Sequence, residues 1–406
     1  MGTLSVDKIL KTSQGAAEFT LPATDGTAGQ VWQTDGSGQL SVATVGSSGI
    51  ATDAVGTSQI AADAVTASEI AGGAVGASEI ADTSITPTQI ASSTFLANRN
   101  RIINGNFDVW QRGTSFAGVT ATGYQADRWE VQPAAGCTMT ISRQAFTAGQ
   151  TDVPYEPSYF LRADITTAGS ANSEISQKIE DVRTFAGQTI VASFYAKSTT
   201  GTQTLNCRFH QDFGSGGSTR VTTGVTQKVL TSSWQKFTFT LTLGSISGKT
   251  IGTSSYLAFN FYWANSSTSN DVDLAQDQVE AGSVATPFEN KNYGQELVAS
   301  QRYFEKQVAG SAYGEFGNGY AESASQSYIS VRFAVEKRAN PTYVGAALRV
   351  VNQGAAMVVT GGGIDQGGTQ MTKLSLTGSG GLTTARATML SANNNATGNL
   401  QWDAEL

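Results

Sequence analysis

The sequence predicts a mainly β protein, and two observations carry that expectation. Composition is the first: 45 Gly stand against 7 Pro, Ser and Thr are abundant, and only 14% of residues are charged, a balance that favours strands and turns over helices. Alternation is the second: runs such as "TIVASFYAKS" (189–198) and "SYLAFNFYWA" (255–264) show strand-like periodicity and end at Gly, Ser or Thr. At 406 residues the chain exceeds what one hydrophobic core usually organises, so two or three folded units are expected.

Charge and apolar patterning narrow the function classes. A net charge of −7 argues against a polyanion-binding surface, which needs clustered Lys and Arg, so nucleic acid is not an expected partner. No basic start leads into an apolar run, and no segment approaches the ~18 apolar residues of a membrane span, so neither export nor membrane insertion is expected. Cys137 and Cys207 lack metal-site spacing and read as buried thiols.

In chain order, "QVWQTDGSGQLSV" comes first and reads as a hairpin. Val31–Thr34 and Gln39–Val42 are its strands, and Asp35-Gly36-Ser37-Gly38 its turn. So small a unit is not stable alone in water; residues 1–45 therefore share a core with other copies or dock onto a larger body.

Residues 50–91 then repeat with a period of ten. Ile50, Ile60, Ile70, Ile80 and Ile90 are each followed by Ala, and Val55, Val65, Val75 and Ile85 fall midway between them. Five helical residues leave successive apolar groups ~140° apart, and five extended residues place them on opposite faces, so neither regular element yields one buried face. Thr66-Ala-Ser-Glu69 and Gly76-Ala-Ser-Glu79 have capping-box spacing, and Thr86-Pro87-Thr-Gln89 has Pro at a first helical position. Each decad thus reads as about one helical turn and one extended step. A single turn is unstable in isolation, and copies of the same chain are the economical partners for layers of Ile and Val around a shared axis. Residues 46–95 are read as the stalk of a parallel homotrimer with those nine residues as its core. A flexible linker is the plainer alternative, and it has no need of apolar residues in strict register.

The central segment carries "TIVASFYAKS", "TLNCRFHQDF" (204–213), "WQKFTFTLTL" (234–243) and "SYLAFNFYWA", short strands that together predict an antiparallel sandwich. Parity places Leu257, Phe259, Phe261 and Trp263 on one face, with Cys207, Phe209 and Phe213 inward on their own strand. Outward fall Tyr195, Arg208, His210, Asn260 and Tyr262. Aromatic faces for sugar C–H groups, flanked by amide, imidazole and guanidinium groups for hydroxyls, make these five candidate glycan-binding residues; a solvated sheet face, or one covered by another subunit, is the bland alternative. Trp110, Trp129 and Trp234 read as packing residues.

Three stretches carry a family resemblance. "ATDAVGTSQIAADAVTASEIAGGAVGASEI" resembles the decad repeats of tail fibres of tailed bacteriophages, marine ones in particular. "MGTLSVDKILKTSQGAAEFTLPATDGTAGQVWQTDGSGQLSVA" is similar to the start of such fibres. "RIINGNFDVWQRGTS", "ADRW" and "VEAGSVATPFE" resemble parts of a carbohydrate-binding-type jelly roll found in many of them. The resemblance implies a virion-attachment segment (1–45), a trimeric stalk (46–95), a jelly-roll sandwich (96–290) and a C-terminal β domain (291–406) serving as tip or trimerisation unit. It also implies a tail or baseplate protein as partner at the N-terminus, host polysaccharide or lipopolysaccharide as partner at the far end, and a place in the virion tail after assembly in the host cytoplasm. Related modules hold a structural calcium between an opening Asn-Gly-x-Phe-acid segment, here Asn104 to Asp108, and an acid in the last strand. Gln276 stands where that acid is expected and Asp277 is displaced by one, which turns a strand side chain to the other face. Calcium would then rest on Asp108 and backbone carbonyls, fewer ligands than a hard cation takes; no other cofactor is expected.

Enzymatic readings are weak. His210 is the only histidine and no G-x-S-x-G elbow is present. "GSGGS" and "GGGIDQGG" lack the Lys-Ser/Thr of a phosphate loop, and sequence spacing cannot reveal a glycosidase carboxylate pair. After Glu289, "NYGQELVASQRYFEK" reads as a short helix or connector, and "YISVRFAV" (328–335), "LRVVN", "MTKLSLTG" and "TTARATML" as a smaller β unit. The expectation is a non-enzymatic fibre that adheres to glycans; the alternative is a structural fibre or adaptor that binds none.

Overall fold

A computed structural model describes residues 98–264 and 270–406, and before them the pieces 8–10, 18–20, 22–23, 26–34 and 40–45 and the single residues 60, 65, 70 and 75. Two units result, Met1–Ile85 and Thr86–Leu406.

The first unit contains two antiparallel hairpins. Strand β1 (Lys8–Leu10) pairs with β2 (Glu18–Thr20), and β3 (Gln30–Thr34) pairs with β4 (Leu40–Thr44) in the register Thr34 to Leu40. The second is the hairpin read from "QVWQTDGSGQLSV"; its turn lies outside the described residues. Two-stranded ribbons bury little, and Val31 and Trp32 stay 46% and 55% exposed. Ile60 and Ile70 are each 44% exposed and Val65 and Val75 each 52%, so these four bury no layer within one chain. Ile50, Val55, Ile80, Ile85 and Ile90 lie outside the described residues.

The second unit begins with a jelly-roll sandwich. Its strands are β5 (Ser115–Val119), β6 (Gly123–Tyr124), β7 (Trp129–Gln132), β8 (Thr138–Ala145), β9 (Tyr159–Thr167), β10 (Asn172–Glu180), β11 (Thr189–Lys197), β12 (Gln203–Asp212), β13 (Val221–Leu230), β14 (Gln235–Thr242), β15 (Tyr256–Ala264) and β16 (Asn270–Ala281). The first sheet runs β13-β12-β15-β10-β7-β6 and the second β14-β11-β16-β9-β8-β5. Parity holds on β15, where Leu257, Phe259, Phe261 and Trp263 are all fully buried. Phe194 of the second sheet meets Phe261 of the first edge-on at 4.8 Å between ring centroids, so both sheets feed one core. Burying each such ring contributes about 1.5–3 kcal/mol. Cys137 and Cys207 are buried free thiols.

The opening "NGNF" ties the chain to the last strand of the sandwich. Asn104 and Phe107 take φ of 57° and 54°, and the Asn104 amide donates to the Val109 and Asp127 carbonyls at 2.8 and 3.0 Å. A side chain on Gly105 would meet the Asp277 carbonyl at 2.2 Å. Only glycine allows that approach, which the Asp277 N–H uses to donate to the Gly105 carbonyl at 2.9 Å.

At this point the structure corrects the parity argument for Asp277. The pairing of β11 with β16 skips a residue between Ser193 and Tyr195, and Gln276 takes φ 53°. This is a β-bulge, two residues opposing one. It absorbs the one-residue shift, keeps Gln276 on the outer face and turns Asp277 inward, where it is fully buried.

Helix α1 (Tyr293–Gln301) follows, started by a capping box between Asn292 and Gln295. Then come β17 (Phe304–Val308), β18 (Glu315–Ser323), β19 (Gln326–Arg332), β20 (Thr342–Ala346), β21 (Leu348–Asn352), β22 (Ala355–Gln366), β23 (Met371–Gly378), β24 (Ala387–Ala392) and β25 (Asn399–Asp403). Strands β18-β19-β23-β22-β21-β24 close into a barrel, which leaves no open edge among those strands, and β17-β25-β20 form a three-stranded sheet beside it. The last residues return to the sandwich. Buried Arg128 pairs with Glu405, donates to the Lys178 carbonyl, and lies 3.5 Å from the Tyr303 ring centroid.

Candidate functional site

The outer face of the first sheet carries a groove of about 450 Å³. Its shape follows from side-chain size along three cross-strand rows. Arg208, Asn260, Ser176 and Glu130 form one row; His210, Ala258 and Lys178 flank it on one side; Asn206, Tyr262, Glu174 and Gln132 flank it on the other. Neighbours across strands stand ~5 Å apart, so small Ser176 and Ala258 leave a hollow between larger side chains. Both are buried, at 6% and 2% exposure, and they form its floor.

Polar groups around the hollow hold one another in place. Arg208 pairs with Glu174 and its guanidinium lies 4.3 Å from the Tyr262 ring centroid. The Asn260 amide donates to Glu174 at 3.3 Å. Lys178 Nζ is 2.9 Å from Glu130 and donates to the Leu406 carbonyl at 2.8 Å, while the Tyr124 hydroxyl donates to the same oxygen at 2.9 Å. Two atoms remain without a hydrogen-bond partner although buried: Asn260 Oδ1 and Arg208 Nε. A buried acceptor left unpaired costs about 1–3 kcal/mol, so the floor favours a ligand that brings hydroxyl groups.

His210 lines the groove as a neutral ring. Its Nδ1 shares a 2.9 Å hydrogen bond with the Thr222 hydroxyl. Burial, reinforced by the positive charges of Arg208 and Arg220, pushes its pKa down to about 4. An unperturbed imidazole titrates near 6.5, so His210 meets a ligand at neutral pH as a donor–acceptor and carries no charge.

Four of the candidates read from the sequence, Arg208, His210, Asn260 and Tyr262, thus share one sheet face. Tyr195 does not join them. It points outward as parity requires, but β11 belongs to the second sheet, so it opens on the opposite side of the sandwich. Outward parity is a property of one strand, and sheet membership comes from pairing. The sequence reading also missed Glu130, Glu174, Ser176 and Lys178. Alternation in "NSEISQKIE" carried a signal for three of them, since Ile175, Gln177 and Ile179 occupy the other parity.

Asp108 lies elsewhere, in a surface cavity of about 420 Å³ with Trp110, Arg143 and Tyr159. Its carboxylate accepts from the Asn106 amide at 3.1 Å; burial raises its pKa, partly offset by Arg143. The Arg143 guanidinium already supplies positive charge beside it, and among the described residues no three His, Cys, Asp or Glu side chains converge as a metal site. The inward Asp277 has both carboxylate oxygens unpartnered, and burial alone pushes its pKa well up. The residues around Asp108 do not fit a hard cation.

No family model matches the sequence, and no curated protein matches it. Solved structures share partial likeness. A CBM4 structure is 16% identical over 44% of this chain and 98% of its own, with a TM-score of 0.28. The enzymatically active domain of tailspike protein 4 of bacteriophage CBA120 is 12% identical over 45% of this chain, with a TM-score of 0.29. This chain spans only 21% of that tailspike chain. The Stig cyclase Fisc from Fischerella sp. TAU is 9% identical over 46% of this chain and 98% of its own, with a TM-score of 0.33. Likeness this slight carries no statement about ligand or activity, so both are argued from the groove.

Proposed function

We propose that this chain is a tail fibre of a tailed bacteriophage, a homotrimer that attaches the virion to glycans on the host surface and performs no catalysis. The groove carries the glycan reading. A small-residue floor with an unpartnered Asn260 oxygen, Tyr256 in its lining, Tyr262 in the next row of the same face and paired charges around it suits a ligand that offers many hydroxyls and an apolar ring face. The decads support the trimer: Ile60, Val65, Ile70 and Val75 recur in register yet stay exposed in the single chain, and three copies around an axis would cover them. Trimerisation makes weak sites sufficient, since each engaged groove raises the effective concentration of the next contact. Attachment to a tail or baseplate protein falls to residues 1–45, where Val31 and Trp32 lie exposed.

Sedimentation of the full chain, followed by an array of bacterial polysaccharides and lipopolysaccharides, tests the proposal. The expected particle has the mass of three chains and binds a subset of the array. Asn260→Ala and Tyr262→Ala each weaken monovalent binding by roughly tenfold, the size of one lost hydrogen bond or ring contact. A monomer removes the stalk reading. Trimers that bind no glycan favour a structural adaptor.

A further inference from the structure

The opposite face of the sandwich holds a second cavity, of about 250 Å³, around Tyr195. From its geometry we infer a separate binding pocket for one carboxylated sugar unit, a uronic-acid-type residue, independent of the groove on the first sheet.

The β-bulge creates its recognition element. By keeping Gln276 outward it places this side chain in the cavity wall, 3% exposed. The amide nitrogen donates to the Pro154 carbonyl at 2.5 Å, which fixes the orientation, and Oε1 is left buried with no donor. An acceptor so placed is matched by a ligand hydroxyl. Tyr155, Tyr195, Pro287 and Phe288 line the same cavity, an apolar and aromatic surface that suits the C–H face of a sugar ring. Lys236, on the neighbouring β14, lines the same cavity, and among the described residues its Nζ makes no hydrogen bond or ion pair. The nearby carboxylate of Glu280 is already engaged by Arg99 at 3.2 Å and by the Thr286 hydroxyl at 2.6 Å. Lys236 therefore feels the charge of Glu280 without bonding to it, and beside a hydroxyl-seeking oxygen its free donors can meet a ligand carboxylate in a charge-assisted contact. The volume lies below that of the usual drug-sized pocket, so one ring fits and a chain does not.

Saturation-transfer NMR of the full chain with free D-glucuronate and D-galacturonate, and with D-glucose as the uncharged control, tests this pocket. Transfer is expected from at least one uronate and not from glucose at equal concentration. Lys236→Gln, an exposed substitution, and Tyr195→Ala each weaken it by roughly tenfold or more, and Asn260→Ala in the groove leaves it unchanged. Equal transfer from glucose, no transfer from either uronate, or uronate binding that survives both Lys236→Gln and Tyr195→Ala overturns the inference. Loss with Asn260→Ala alone assigns the uronate to the groove and overturns it as well. Failure of the groove reading shows separately, as array binding indifferent to Asn260→Ala.

Discussion

Glu405→Ala is expected to lower the stability of the Thr86–Leu406 unit by about 3–5 kcal/mol. The Arg128 and Glu405 side chains are 1% and 5% exposed, so removing the carboxylate leaves a guanidinium buried against the Tyr303 ring with only the Lys178 carbonyl to receive a donated hydrogen. Its Nε has no partner even in the native protein. Arg112, the other cation beside Glu405 at 3.4 Å, keeps Asp403 at 3.0 Å and Asp127 at 3.7 Å, so the loss falls on Arg128. Urea denaturation measures it. The double variant Arg128→Met/Glu405→Leu should recover most of the loss, because an apolar pair of similar volume avoids the desolvation of two ions. A cost below ~1 kcal/mol for Glu405→Ala, the level of a surface pair, would show that water reaches this joint. Because Lys178 also lines the groove, the single variant should weaken glycan binding too.

Asp277→Asn should do the reverse and stabilise the protein. The carboxyl is fully buried, both oxygens lack partners, and burial holds its pKa well above 3.8 in the folded state. Protonated when folded and ionised when unfolded, the group makes the folded state bind the extra proton between these two pKa values. Stability therefore falls by about 1.4 kcal/mol per pH unit as pH rises above 3.8 towards the folded pKa. Asparagine has nearly the same shape and no proton to lose. Thermal midpoints of the two proteins should converge near pH 4 and separate as pH rises above it, with the variant higher. A variant less stable at pH 7 would mean that the Asp277 carboxylate is charged and paired in solution.

Much of the sandwich was legible in the sequence because each signal was local. Strand parity on "SYLAFNFYWA" assigned Leu257, Phe259, Phe261 and Trp263 to the core, and all four are fully buried. Residues 31–34 form one strand of a hairpin as read, although Thr34 pairs with Leu40, one residue beyond the register that a four-residue turn implies, and Asn292 and Gln295 cap the helix read in "NYGQELVASQRYFEK". In the C-terminal region strands were visible, whereas barrel closure was not, since closure depends on which edges meet. The same limit governs the site. Local alternation determined that Tyr195, Arg208, His210, Asn260 and Tyr262 point outward, but strand pairing decided that four share one sheet face, with Arg208, His210 and Asn260 lining the groove, and that Tyr195 faces the other way. Tertiary structure also decided the fate of Asp277: a bulge at Gln276, invisible to a two-residue period, moved one carboxylate into the core and one amide into a pocket. By itself the sequence determined which residues a regular strand turns inward or outward, because unbroken backbone geometry repeats every two residues. Which outward residues meet, and what hollow they enclose, came only with the folded sheets, because those contacts are set by register, bulges and the sizes of neighbours on other strands.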